Sequence, residues 1–90
     1  MATTMVSAAD RLATIDANFD QTERTGTAHL TRLAAEIRVL SLPRGSYVIV
    51  DVASGGYVTG LSRSSARDAF RARYPKGPGW ACRIEDLPSA

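Results

Sequence analysis

Between Ser41 and Ser62 the hydrophobic period of the chain changes, and that change constrains the fold more than any other feature. Upstream, residues 28–41 (AHLTRLAAEIRVLS) place Leu30, Leu33, Ala34, Ile37 and Leu40 or Ser41 at the i, i+3, i+4, i+7 spacing of one helix face. Thr27 is the candidate N-cap. Pro43 stops the helix, because proline has no N–H to donate and pushes its predecessor out of the α region. Downstream, SYVIVDV and YVTGL are rich in β-branched and aromatic residues and are separated by Ala53-Ser54-Gly55-Gly56. The pattern predicts a hairpin with strands 47–53 and 57–61, the glycines supplying the positive φ of a tight turn. A loop of Ser54, Gly55 and Gly56 pairs Val52 with Val58. On that register Val48, Val50, Val52 and Val58 share one face, where Gly60 leaves room for a helix, and Tyr47, Ile49, Asp51, Tyr57 and Thr59 share the other.

A second helix is expected over residues 63–74, with Ser62 as N-cap and Leu61 stapled onto Ala66. Ala66, Ala69, Phe70 and Tyr74 or Arg73 form its inner stripe, and the small alanines suit a close approach to the valine face. Pro75 ends it, KGPG turns the chain, and Trp80, Cys82 and Ile84 alternate with Ala81, Arg83 and Glu85 as a last strand. Residues 1–26 carry a narrow stripe of Ala8, Leu12, Ile15 and Phe19, which the polar run DQTERTGT ends. They are read as an N-terminal segment, either a short docked helix or a partly mobile stretch, preceding a single domain over 27–90. The fold class is α+β, in the order α-β-β-α-β: a small three-stranded sheet with helices on its face and room for an extra N-terminal helix.

Ninety residues make one small domain, which buries only roughly 60–65% of the surface of its unfolded chain, so oligomerisation is a common supplement to its stability. Cys82 is the only cysteine, which excludes an internal disulfide and a cysteine-based zinc site. The N-terminus has no signal-peptide pattern and no stretch approaches the ~20 apolar residues of a membrane span, so the expected location is cytoplasmic. Charge is unevenly placed: four Arg against five acids give −1 over residues 1–43, and six Arg plus one Lys against four acids give +3 over 44–90, together the formal +2. That asymmetry permits a polyanionic partner without requiring one.

Several chemical motifs are imitated and then fail. VIVDVASGG has the letters of a nucleotide- or methyl-donor-binding strand and glycine loop, but YVT after it is strand-like where a helix must begin, and too little chain follows for repeated βαβ units. Asp16, Asn18 and Asp20 match the first oxygen positions of a calcium loop, yet Gln21 stands where glycine is required and Thr27 where a bidentate Glu is required. His29 and Cys82 form a dyad only on paper, since nothing around GWACRIE activates a thiolate. Asp51, Asp68, Glu85 and Asp86 show no paired spacing for acid–base work. No catalytic residue, cofactor or metal site is expected.

Two surfaces remain. Arg63, Arg67 and Arg71 recur every four residues along the second helix and, with Lys76, form a basic ridge suited to phosphates or acidic side chains, although a solvated helix face has the same composition. Tyr47, Ile49 and Tyr57 form an apolar patch on the outer hairpin face unless Leu12, Ile15 and Phe19 cover it. The run YVIVDVASGGYVTGLSRSSARDAF resembles the hairpin-plus-helix core of HicB-like antitoxins, through Tyr47 to Val52, Gly55-Gly56, Tyr57-Val58, Ser62, and Ala66 with Ala69. The resemblance implies a binding role without chemistry. The further strand motif and appended DNA-binding segment of that family are missing here, so operator binding is not implied. The expected function is therefore a non-catalytic interaction protein, antitoxin-like or an inhibitor of a host defence complex, acting on a protein partner. Nucleic acid bound by the arginine ridge is the alternative, and a homodimer or complex subunit is the expected state.

Overall fold

Strand β1 (Tyr47–Asp51) is the centre of the molecule, and Val48, Ile49, Val50 and Asp51 are all buried. Consecutive buried residues mean that both faces of the strand are covered. The computed structural model describes the backbone of residues 8–88 and the side chains of residues 20–88. Its elements are α1 (Ala8–Val39), β1, β2 (Tyr57–Gly60), α2 (Arg63–Arg73), β3 (Gly79–Arg83) and a 3-10 turn at Ile84–Asp86. The α-β-β-α-β order is that expected from the sequence. The sheet order is β2-β1-β3 with both pairings antiparallel, so β2 and β3 run parallel on either side of β1, joined by α2 as a split β-α-β unit.

The helices lie on opposite faces. On one, Leu30 and Ile37 of α1 pack with Val48, Val50 and Leu87, joined by the partly buried Tyr57, Trp80 and Cys82. On the other, Ala66 and Phe70 of α2 pack with Ile49, joined by Tyr47, Val58 and Tyr74. The second helix therefore does not sit on the valine face. The reason is the hairpin register, which pairs Val50 with Tyr57 and Ile49 with Val58 rather than Val52 with Val58. Asp51 sets it: Oδ2 accepts from the Ser54 N–H (3.1 Å) and hydroxyl (2.6 Å), and the Asp51 carbonyl accepts from the Gly55 N–H (2.8 Å). Gly55 takes a φ of +79° inside this turn. The carboxylate thus ends the ladder at Asp51, and β1 is two residues shorter than the expected 47–53.

Helix α2 starts as its sequence predicts. Ser62 accepts from the Ser65 N–H at 3.1 Å, and the Ser65 hydroxyl accepts from the Ser62 N–H at 3.0 Å, a reciprocal capping box. The Leu61–Ala66 staple is absent, with Leu61 70% exposed. Ala66 is instead pressed onto Gly60, where any Cβ would overlap the Ala66 backbone.

Helix α1 differs most from expectation. It runs unbroken through residue 27, so Thr27 is not its N-cap and residues 8–26 are not a separate helix. Polarity in DQTERTGT marks solvent-facing turns here, not a stop. Gly26, which reads as a breaker, is buried because α1 crosses β3 there, and a Cβ would overlap Trp80. The helix ends through Ser41, at a φ of 53°, before Pro43. Thirty-two residues span about 48 Å. Among the described side chains, the first of α1 in the core cluster is Leu30. The radius of gyration, 16.0 Å, accordingly exceeds the ~12 Å of a compact chain of this length. The stripe of Ala8, Leu12, Ile15 and Phe19 lies outside the residues with described side chains.

Candidate functional site

Pleating decides the hairpin patch first. Tyr47 and Ile49 do share a face, but Tyr57 stands opposite Val50 and belongs to the other. Ile49 is 8% exposed beneath α2, and Tyr47 is half-buried beside it. Tyr57 packs against the α1 cluster, where burial first and then the nearby Glu36 carboxylate push its pKa up. The three side chains are divided between two cores and form no joint surface. The error is the register slip: one turn residue, Asp51, moves Tyr57 through the sheet.

The basic ridge is built as its spacing implies, on the solvent face of a capped, eleven-residue helix. Arg63, Arg67, Arg71 and Lys76 are all exposed. Their situations differ. Arg71 donates to the Gly77 carbonyl at 3.0 Å and lies 5.4 Å from the Phe70 ring centroid, so it caps the C-terminal turn and covers the core. Arg73 likewise donates to the Tyr74 hydroxyl at 3.2 Å. Arg63, Arg67 and Lys76 have no hydrogen bond or ion pair with the described residues. Two of these three charges, Arg63 and Arg67, stand in the N-terminal half of α2, which the exposed Leu61 precedes.

The His29–Cys82 pair is taken apart by its surroundings. His29 Nε2 donates to the Val52 carbonyl at 3.1 Å while Nδ1 accepts from Arg32 at 3.2 Å, an assignment that fixes the Nε2–H tautomer. The imidazole ties α1 to the hairpin turn. Cys82 turns its thiol toward the Arg83 carbonyl (3.1 Å), and burial together with Asp86 and Glu85 pushes its pKa up, away from the thiolate. Asp16, Asn18 and Asp20 lie within continuous helix, which cannot wrap a calcium ion as a loop does. Among the described residues no group of three or more His, Cys, Asp or Glu side chains could hold a metal ion, and no helix is long and apolar enough to cross a membrane. Glu85 has a structural partner instead: it accepts from the Gly45 N–H at 2.7 Å, which with Arg44 and Arg83 lowers its pKa.

One feature was invisible in the sequence. A shallow groove of about 430 Å³ runs between α1 and β3, lined by Glu23, Thr27, Leu30, Trp80 and Cys82 and closed at one end by Asp86. It exists because β3 is an edge strand, and strand order carries no local signal. No family model, curated protein or solved structure matches this chain.

Proposed function

We propose that this chain is a non-catalytic interaction protein, of the antitoxin-like or inhibitor kind, and that the outer face of α2 docks an acidic protein partner. The observation carrying this reading is the grouping of Leu61, 70% exposed, with Arg63 and Arg67, which no acid of the described residues neutralises. An exposed leucine beside unpaired guanidinium groups is the chemistry of a protein interface, where an apolar anchor is desolvated and arginines find carboxylates bidentately. The helix presenting the two arginines is capped at Ser62 and held to the sheet by Phe70. A phosphate-binding ridge is the second reading, favoured by the same arginines. It is the weaker of the two, because Arg71 is committed to the Gly77 carbonyl and Asp68 interrupts the charge.

The test is affinity capture from the native host with and without nuclease, using the natural chain, Leu61→Ala and the double variant Arg63→Glu/Arg67→Glu. The proposal expects one protein partner that survives nuclease and is lost with either variant. Capture that vanishes with nuclease, falls steeply with salt and ignores Leu61→Ala establishes the phosphate reading instead.

A further inference from the structure

We infer that two copies of this chain pair through the free edge of β3 into a continuous six-stranded sheet, with the two α1 helices packed antiparallel over the seam. The inference is independent of the α2 surface. Val52 donates to Pro78 (3.0 Å) and Ile84 to Ser46 (2.8 Å), so hydrogen-bonded pairs fall every second residue along the β1–β3 ladder, at Val50–Trp80 and Val48–Cys82. The intervening residues Gly79, Ala81 and Arg83 therefore turn their N–H and C=O groups away from β1, toward the open edge.

This edge is complementary to itself. A two-fold axis at Ala81 sets that residue opposite its own copy and Gly79 opposite Arg83 of the partner subunit. All three pairs are of the hydrogen-bonded kind, each exchanging two N–H···O bonds. No like charges meet, since Arg83 faces a glycine and the central pair is alanine. The usual protections of an exposed edge, an inward charge or a proline in the donating positions, are missing between Gly79 and Arg83. The opposite edge, β2, offers only Tyr57 and Thr59 outward, because Ile49–Val58 and Tyr47–Gly60 are the bonded pairs.

The helices then fit. Helix α1 contacts both β1 and β3, and strands lie about 4.8 Å apart, so its axis stands about 4.8 Å from the two-fold and about 10 Å from its copy. That is the 8–10 Å spacing of packed helices, and the copy fills the groove above Trp80 and Cys82. Gly26 packs on Trp80, so the axis passes near Thr27. Antiparallel helices about that point set the partner's Val39 level with Ile15. Val39 (81% exposed) and Leu40 (48%) are unexplained in one chain, and the sequence of α1 carries an apolar stripe of Leu12, Ile15 and Phe19 at the level the partner's Val39 reaches. Pairing supplies each with the other. A five-residue strand edge alone falls short of the ~1,200 Å² of a specific interface, and the helix pair makes up the difference.

The experiment is sedimentation equilibrium of the natural chain, Ala81→Lys and Thr59→Lys, with circular dichroism to confirm folding. Twice the 9.6 kDa chain mass is expected for the natural chain and for Thr59→Lys, and at least about tenfold weaker association for Ala81→Lys, which sets like charges face to face. Ala81→Cys on a Cys82→Ser background is expected to cross-link its two copies on oxidation. The inference is overturned by a natural chain that stays monomeric throughout, by a dimer indifferent to Ala81→Lys, or by a dimer of the Ala81→Cys variant that oxidation does not cross-link. Arg63→Glu/Arg67→Glu should leave the dimer intact, so failure of the partner surface and failure of the dimer are separable.

Discussion

The two helical layers bury the same sheet by different means. Helix α2 is short and locally complete: Ser62 and Ser65 cap its start, Arg71 satisfies carbonyls beyond its end, and Ala66 and Phe70 complete a small core. Helix α1 is nearly three times as long, and among its described side chains Leu30 and Ile37 are the ones in the core cluster. The glycines make the same point. Gly60 and Gly79 let α2 settle on the sheet from outside the helix, whereas Gly26 is spent within α1 itself, at a cost of ~1 kcal/mol in helix propensity, to let Trp80 approach. One helix is specified by its own residues and the other by what it lies against.

The contrast can be broken by mutation, and the largest effect belongs to the α2 layer. Phe70, 2% exposed and held against Gly79 and Tyr74 (ring centroids 5.2 Å apart), has no substitute in a cluster of three buried residues. Phe70→Ala should cost about 3–5 kcal/mol in denaturant unfolding. A loss below about 1 kcal/mol would mean that the α2 layer is not a core at all. In the α1 layer the informative change is Gly26→Ala. At an ordinary helix position it stabilises by about 1 kcal/mol, but here the new methyl meets Trp80, and a net loss of about 1–3 kcal/mol is expected. Thermal stability that rises instead would show that α1 does not cross β3 closely. The smallest effect sharpens the local half of the comparison: Ser62→Ala removes one side of the capping box and should cost about 1 kcal/mol, detectable as a shift in denaturant midpoint at constant slope.

What was legible in the sequence follows the same division. The class and order of elements, the stop before Pro43, the Ser62 cap and the alternation of Trp80 and Cys82 are local signals, and each survives in the structure. The hairpin register was not legible, because it turns on Asp51 accepting from Ser54, a tertiary detail of one carboxylate, and the error carried Tyr57 to the wrong face. Continuity of α1 was hidden for a related reason: a buried Gly26 and a polar run look like an interruption until the strand beneath them is known. Of the candidate surfaces, the arginines depended only on helical spacing and stand exposed along α2, while the tyrosine patch depended on register and its members are divided between two faces. The β3 edge needed strand order, which residues in isolation do not encode.

That strand order also has a kinetic meaning. The contacts between β1 and β2 close loops of about ten residues, whereas β1 and β3 meet only after the whole of α2 has been laid across the sheet. Short loops close first, so the hairpin precedes the third strand. During that interval the backbone of Ser46, Val48, Val50 and Val52 stands unpaired along the most apolar strand of the chain, a template for any extended segment nearby. The last strand to arrive is thus the one that protects the chain from aggregation while it folds.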